Sequence, residues 1–379
     1  MHRGLLAFSC MSAFCLAACN MDPTGETLDE HDAAKQAGAT PRTTAPSDPL
    51  AAHDPLPGAA IDPQLTDDQP RPTMQLQVVL DRLGFTPGVV DGREGLSTRN
   101  AIAGLQEAKG LPVTGVLDAK TREALATWSN IPATRVITIP ADFAAGPFVT
   151  VPRSPAEQAK LPSLGYQSLE EKLAERFHTT PETLRALNAK AVSSATSDVP
   201  AFRAGDKIRV PNIGGDRIEE SAVTDAGWRV TLTMLGVGSL QPQAAKIIVS
   251  KSKGTLRAYN SAGTLIGMYT ATMGSRHDPL PLGEWKVVGI AHNPDFTYNP
   301  ELFWDVPDSH AKQHIPPGPN GPVGVAWIDL SKEHYGIHGT PEPSTIGRAE
   351  SHGCVRLTNW DVARLTQMVK SGTQVLFEA

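Results

Sequence analysis

The chain changes character near residue 74. Residues 20–73 contain nine prolines and nine alanines but only five large aliphatic side chains. Such a segment cannot bury enough apolar surface to offset the entropy lost on ordering it. We therefore expect residues 19–73 to be a disordered tether, and the 379-residue chain to fold into two or three domains after it.

Charge is distributed just as unevenly. Residues 22–73 carry ten acidic and three basic side chains, whereas the thirty acidic and thirty basic side chains of residues 74–379 balance. A nucleic-acid-binding protein concentrates basic side chains in a patch or stripe. We find none, so the sequence argues against a nucleic-acid partner.

The first nineteen residues, MHRGLLAFSCMSAFCLAAC, have the pattern of an export signal. Arg3 precedes an apolar run that ends in small residues, and the run is too short for a confident membrane span. Its end, LAAC, resembles the lipobox of bacterial lipoproteins, which implies removal of residues 1–18 and lipidation of Cys19. Asn20 favours the outer over the inner membrane, so we expect a periplasmic, lipid-anchored protein of a Gram-negative bacterium. A plain cleaved signal is the alternative.

Residues 74–128 show three short amphipathic helices. MQLQVVLDRLGF places Leu76, Val79, Leu80 and Leu83 on one helical face. A second helix ends at a glycine in AKGL, and VTGVLDAKTREALATW repeats the turn-then-helix pattern. The motifs LQ, DG-x-x-G-x-x-T and TG-x-LD-x-x-T resemble the type 1 peptidoglycan-binding domain; an unrelated three-helix module is the alternative. Gly104 stands where that family usually has a larger apolar residue, which predicts weaker local packing.

The next two segments are less regular. Residues 129–165 are predicted to be a linker with strand-like pieces. Residues 166–213 predict two helices and a short strand, an α/β segment that resembles a LysM-type glycan-binding module without its first strand. The sequence leaves open whether this LysM-like segment binds glycan or acts as a spacer.

From residue 244 the chain becomes strand-rich. Runs such as KIIVS, GTLIGMYTATMG and VGVAWIDL, separated by glycine turns, predict β-strands, and TNWDVARLTQMV predicts an amphipathic helix. Residues 244–378 are therefore predicted to form a mainly β domain. The fold class is multidomain, with a three-helix domain, an α/β segment and this β domain.

The stretch SHGCVRL, residues 351–357, contains the only cysteine beyond residue 19. In an oxidising compartment Cys354 has no intramolecular partner, so it is either an inert buried thiol or a reactive one. If the stretch is a strand, His352, Cys354 and Arg356 share one face. A Cys–His pair on that face favours a thiolate, the species that attacks carbonyl carbon.

The other residues of this stretch fit a site on the same face. Val355 and Leu357 would point into the core on the opposite side, with Gly353 removing bulk where a substrate approaches. Backbone N–H groups around Gly353 could hold an oxyanion, and Arg356 could bind a carboxylate. From the residues alone, a structural thiol remains the alternative.

The longer segment IHGTPEPSTIGRAESHGCVRL resembles the signature of the L,D-transpeptidase (YkuD-like) catalytic domain. PLPLGEW and IPPGPNGPVGVAWI match as well, and the resemblance covers roughly residues 244–378. It implies a nucleophile, a general base and substrate-binding groups. They are Cys354 as nucleophile, His352 as base flanked by Ser351 and Gly353, and His338, Gly339 and Arg356 as substrate-binding residues.

The resemblance also implies the reaction. Cys354 attacks the amide between meso-diaminopimelate and the terminal D-Ala of a peptidoglycan stem tetrapeptide, His352 carries the proton, and a thioester forms. A second stem as acceptor gives a 3→3 cross-link, a lysine of a lipoprotein gives a wall-anchored protein, and water gives an L,D-carboxypeptidase. A carbapenem-type β-lactam is expected to trap the thiol. We expect no cofactor and a monomer.

Two other classes remain open. The pairs His310/His314 and His334/His338 have the four-residue spacing of helical zinc ligands, but neither carries the glutamate of an H-E-x-x-H motif, so we expect no metal. A non-catalytic wall-binding lipoprotein would need only the anchor and the wall-affinity modules.

Overall fold

A computed structural model describes residue 67 and residues 69–189, 201–214, 217–302, 306, 311–351 and 353–379. Cys19, the predicted signal peptide, nearly all of the predicted tether, His310 and His352 lie outside these residues. Within the described ranges, every helix is too short or too polar to cross a bilayer.

The first described module contains the three predicted helices. Gly84 and Gly110 adopt left-handed φ values of 81° and 64° just after the first two helices, which explains where those helices end. Asp118 begins the third by accepting the N–H of Thr121 at 2.8 Å. The elements are α1 (Pro72–Arg82), β1 (Phe85–Thr86), α2 (Leu96–Ala108), α3 (Ala119–Ala124) and a short 3₁₀ helix (Ala126–Trp128).

The second module has four helices, two of them only four residues long, between two paired strands. Its elements are β2 (Thr134–Thr138), α4 (Ala141–Ala144), α5 (Pro155–Gln158), α6 (Leu169–Arg176), α7 (Pro181–Leu187) and β3 (Lys207–Pro211). β2 and β3 pair antiparallel. β2 lies in residues 129–165, where the sequence predicts strand-like pieces within a linker. Its pairing with β3 was not predicted, because a long stretch of chain separates the two strands.

The third module is built on a twisted mixed sheet. A helix that the sequence analysis did not predict, α8 (Ala226–Leu235), precedes it, capped by Asp225 and ended by Gly236 at φ 66°. The following elements are β4 (Lys246–Ser250), β5 (Thr255–Tyr259), β6 (Leu265–Thr270), β7 (Thr272–Met273), β8 (Gly283–His292), β9 (Phe296–Tyr298), β10 (Gln313–Ile315), β11 (Ala326–Leu330), β12 (Gly336–His338), β13 (Val355–Arg356), α9 (Asn359–Met368) and β14 (Gln374–Glu378). Among the described strands the sheet order is β1-β6-β5-β4-β14-β8-β11-β12-β13-β7.

The helical module is joined to the edge of this sheet. β1 pairs parallel with β6, with Phe85 opposite Met268. Gly104 on α2 lies where this contact is tightest, because a Cβ there would lie 2.9 Å from Met268 Cβ and 3.1 Å from the Phe85 ring. The prediction that Gly104 weakens packing is therefore wrong. The glycine lets α2 approach the sheet more closely than a larger residue would.

A buried polar cluster joins all three modules. Asp81 on α1 lies 3.3 Å from the Arg364 guanidinium on α9 and 3.2 Å from His178 Nδ1, after α6. The His178 ring stacks on Trp360 with centroids 5.0 Å apart. Burial alone would raise the pKa of Asp81, but Arg364 and His178 hold it well below its usual range. The carboxylate is therefore ionised and compensated inside the core.

We expect Gly104→Leu to destabilise the protein by about 1–3 kcal/mol, because the added side chain overpacks the contact with Met268. Urea unfolding followed by tryptophan fluorescence measures the effect. Ala103→Leu, on the same helix but partly exposed, is the matched control and should change stability by less than about 0.5 kcal/mol. Equal effects from the two variants would contradict the tight contact.

We expect Arg364→Leu to cost about 3–5 kcal/mol at pH 7, because it leaves the buried Asp81 without its cation. The pKa of Asp81 is lowered in the folded protein, so the wild-type advantage should be full above about pH 4 and shrink as pH falls further. Arg185→Leu, which removes an ion pair to Glu170 from a half-exposed arginine, should cost about 0–1 kcal/mol. A similar loss in both variants, or a loss independent of pH, would refute this assignment.

Candidate active site

The motif residues meet at the last strands of the sheet. β12 pairs parallel with β13, which places His338 directly opposite Arg356. β13 also pairs antiparallel with β7, so both its edges are fixed. Val355 and Leu357 are fully buried, which confirms the predicted core-facing side of this stretch.

Gly353 and Cys354 do not belong to a strand. β13 begins only at Val355, because Gly353 has a φ of 99°, which turns the backbone before the strand starts. A Cβ at Gly353 would also lie 2.7 Å from the Tyr335 ring. The strand prediction is therefore wrong at Gly353 and Cys354. This glycine is required by its own backbone conformation and by the close approach of Tyr335.

Ser351 holds the loop that carries Cys354. Its buried hydroxyl donates to the Cys354 carbonyl and accepts from the Gly274 N–H, both at 2.7 Å. The Lys251 ammonium in turn donates to the carbonyl of Gly274 at 3.0 Å and to that of Met273. The loop is thus fixed from two sides by groups far apart in sequence.

The Cys354 thiol is half-buried near the start of β12. Its sulfur lies 3.8 Å from the His334 carbonyl. Burial raises the pKa of the Cys354 thiol, while the Gly336 N–H and the Arg356 guanidinium lower it by less. The described surroundings therefore favour the neutral thiol, in contrast to the thiolate that the sequence predicts. The predicted partner His352 lies outside the described residues.

His338 is buried and held in a single tautomer. Its Nδ1 lies 2.7 Å from the Gly339 carbonyl. A carbonyl only accepts, so Nδ1 carries the proton and Nε2 keeps its lone pair. The ring stacks on Trp327, with centroids 5.4 Å apart. Burial and the nearby Arg356 charge lower the pKa of His338 to about 3, so this imidazole is neutral near pH 7.

Gly339, predicted to bind substrate, has structural contacts on every side that the structure describes. Its N–H donates to the Val323 carbonyl at 3.0 Å, and its own carbonyl binds His338. A Cβ at this position would collide with the Asn359 side-chain oxygen. Gly339 therefore orients His338 through its carbonyl.

Arg356 is partly buried next to these groups. Among the described residues its Nε has no hydrogen-bond partner, although this atom is shielded from solvent. Burial lowers the pKa of Arg356, whereas the Cys354 and Glu342 charges raise it. A buried donor without a partner is costly, so this guanidinium is suited to a ligand oxygen.

Two residues of the site were missed by the sequence analysis. Tyr335 lies two residues before the segment IHGTPEPSTIGRAESHGCVRL, and nothing in the local sequence indicates that its ring packs on Gly353. Lys251 follows β4, and no local pattern connects it to residues 273 and 274. Of the two histidine pairs with the spacing of helical zinc ligands, His334 has a left-handed φ of 65° and therefore does not lie on a helix. No three potential ligands of the His, Cys, Asp and Glu types come together in the described ranges.

Comparisons with known proteins match two segments of the chain. The model of the YkuD family, "L,D-transpeptidase catalytic domain", matches residues 244–376, and that of a "Putative peptidoglycan binding domain" matches residues 72–125. "Putative L,D-transpeptidase YkuD" of Bacillus licheniformis is 36% identical over 130 residues, which are 34% of this chain and 63% of that protein. Its namesake in Bacillus subtilis is 54% identical over 57 residues, 15% of this chain and 35% of that protein. The matches thus span less than two thirds of these relatives.

Solved structures are similar over a comparable part of the chain. L,D-transpeptidase 3 from Mycobacterium tuberculosis, in complex with a faropenem-derived adduct, aligns with a TM-score of 0.30 and 17% identity, over 38% of this chain and 62% of that chain. The catalytic domain of the E. faecium L,D-transpeptidase aligns with a TM-score of 0.27 and 19% identity, over 36% and 97%.

Because the family models match residues 72–125 and 244–376, the chain carries a peptidoglycan-binding domain followed by an L,D-transpeptidase catalytic domain of the YkuD family.

Proposed function

We propose that this protein is a peptidoglycan L,D-transpeptidase that acts through a thioester on Cys354. The observation that carries the proposal is the placement of Cys354 in the matched catalytic domain. Its carbonyl is fixed by Ser351, and it lies next to a strand that ends in a neutral His338. Arg356, with its unpartnered Nε, provides a donor for a carboxylate of the stem peptide.

The chemistry follows from a neutral thiol and a neutral base. The sulfur attacks the amide carbon between diaminopimelate and the terminal D-Ala, and the thiol proton passes to an imidazole nitrogen. The C–N bond breaks as the imidazolium returns that proton to the leaving D-Ala amine, which gives a thioester. An acceptor amine then attacks the thioester and regenerates the thiol.

His338 has one property expected of a catalytic base. Its Nδ1 proton is fixed by the Gly339 carbonyl, so the lone pair is on Nε2, and its lowered pKa keeps that nitrogen unprotonated. This is the arrangement in which a carbonyl orients a catalytic histidine. We therefore propose His338 as a second candidate for proton transfer, beside His352, which the family resemblance implies.

The acceptor and the location complete the proposal. The acceptor is the diaminopimelate amine of a second stem, with a lipoprotein lysine or water as alternatives that yield protein attachment or L,D-carboxypeptidase activity.

We propose that Cys19 is lipidated and that the protein works in the periplasm, anchored in the outer rather than the inner membrane and monomeric. The LysM-like segment contributes to wall binding, as its helices between paired strands would allow.

The first test is turnover of purified disaccharide-tetrapeptide by residues 67–379, followed by mass spectrometry. We expect cross-linked dimers and released D-Ala, and a loss of at least about 10³-fold in Cys354→Ala, because the nucleophile is removed. A carbapenem should add covalently to the wild type and not to the variant. Arg185→Ala, remote from the site, is the control. Turnover retained without Cys354 would refute Cys354 as the nucleophile. No turnover by either form would leave the non-catalytic wall-binding alternative.

The second test separates the two histidines. We expect His338→Gln to lower kcat about 10²–10⁴-fold, the usual contribution of a general base. Because the pKa of His338 is lowered to about 3, kcat/KM of the wild type should stay flat between pH 5 and 8 and fall only at lower pH. His352→Gln is the matched variant. An acid limb near pH 6.5, together with the larger loss in His352→Gln, would assign the base to His352 instead.

A further inference from the structure

The second module holds a loop of the catalytic domain. This loop, residues 316–325, runs between β10 and β11. The Leu164 N–H donates to the Pro317 carbonyl at 2.9 Å, and the Leu164 carbonyl accepts the Asn320 N–H at 3.0 Å. A Cβ at Gly318 would collide with the Leu164 backbone. The two segments therefore lie as close together as hydrogen-bonded neighbouring strands.

Side chains of α6 add to this contact. The Asn320 amide donates to the Glu171 carboxylate at 2.6 Å. Near the other end of α6, the buried Glu175 carboxylate accepts the Asn359 amide at 2.7 Å. The same amide group of Asn359 donates to the Pro319 carbonyl at 3.1 Å. Helix α6 thus holds the 316–325 loop in two ways, directly and through the first residue of α9.

The loop and Asn359 meet at the residue that orients His338. The Gly339 N–H donates to the Val323 carbonyl of the loop at 3.0 Å. The Asn359 side-chain oxygen accepts the Val325 N–H at 3.2 Å and leaves no room for a Cβ on Gly339. Groups held by the second module therefore position Gly339, whose carbonyl accepts the proton on His338 Nδ1.

Glu175 can keep its contact with Asn359 in either protonation state. Burial raises the pKa of Glu175 to about 7, the Tyr166 and Asn359 hydrogen bonds oppose this shift, and the Glu171 charge adds to it. The Tyr166 hydroxyl, 2.8 Å from the second oxygen, donates to a carboxylate and accepts from a carboxylic acid. The first oxygen therefore remains an acceptor for Asn359. A glutamine would offer the same two contacts, whereas a leucine would offer neither.

We propose that the second module is a positioning element of the active site, in which Glu175 acts through Asn359 to fix His338 in one tautomer. The inference rests on the proposed function for its catalytic part, in which His338 transfers a proton. Its structural part rests on the contacts alone. When these contacts are lost, the imidazole can carry its proton on either nitrogen, and the fraction with a lone pair on Nε2 falls.

The first measurement compares variants of the full chain in tetrapeptide turnover. Glu175→Leu removes the acceptor for Asn359, Glu175→Gln keeps it, and Tyr166→Phe removes only the other partner of Glu175. We expect Glu175→Leu to lower kcat about 10- to 100-fold with little change in KM, because the base is misplaced while substrate binding is not. Glu175→Gln and Tyr166→Phe should keep kcat close to the wild-type value. Glu182→Leu, an exposed position on α7, is the control for charge removal.

The second measurement follows His338 itself and needs no turnover. Nitrogen NMR of histidine-labelled protein shows which imidazole nitrogen carries the proton, and the His338 signals are those lost in His338→Gln. We expect the Nδ1–H form in the wild type, in Glu175→Gln and in Tyr166→Phe, and a mixture of tautomers in Glu175→Leu. If Glu175→Leu does not fold, Asn320→Ala takes its place, because it releases the loop from α6 at a partly exposed position.

Two NMR results would overturn the proposal. One is an unchanged His338 tautomer in Glu175→Leu. The other is an equal change in Tyr166→Phe, which would show a general loosening of the interface. A shift of tautomer without a loss of kcat would overturn the catalytic part. A shift of tautomer in a protein whose wild type does not turn over tetrapeptide would refute the proposed reaction and leave the positioning of His338 standing.

Discussion

The ion pair between Asp81 and Arg364 constrains the rest of the structure, because it buries one charge from the first module against one from the last. A buried carboxylate is tolerated only with a compensating cation and hydrogen-bond partners. If α1 and α9 separated, one of the two charges would be exposed or left buried without its partner. His178 adds the middle module to the same cluster and donates through Nε2 to the Leu235 carbonyl of α8 at 2.9 Å. The three modules therefore behave as one body.

The same interface reaches the active site through Asn359, the first residue of α9. Its side chain donates to Glu175 at 2.7 Å and accepts from the Val325 N–H at 3.2 Å, and its oxygen packs against Gly339. Burial raises the pKa of Glu175 to about 7. The carbonyl that orients His338 belongs to Gly339, and Gly339 is packed against Asn359 at this interface. Catalytic geometry and module docking share the same few contacts.

Much of this could be predicted from the sequence, and the remainder has a physical explanation. Local patterns indicated α1 to α3 and α9, and the SHGC-x-R motif indicated Cys354, because these signals depend on neighbours in the chain. The turn at Gly353 was missed because alternation of side chains gives no sign of a left-handed φ. β2 was missed as a partner of β3, and Lys251 as a support of the Cys354 loop, because both act across long sequence separations. The pKa of His338 depends on burial and on Arg356, which only the folded chain provides.

Gly104 has a consequence beyond this chain. In a free-standing three-helix module, a larger apolar residue at this position of α2 would complete the module's own core. Here the glycine leaves that place to Met268 of the catalytic sheet. The size of the side chain at this position of α2 thus indicates whether the module completes its core with its own residues or with a residue of the neighbouring sheet. In chains with the same order of modules, that position offers a way to distinguish wall-binding domains that swing on a linker from those that move only with the enzyme.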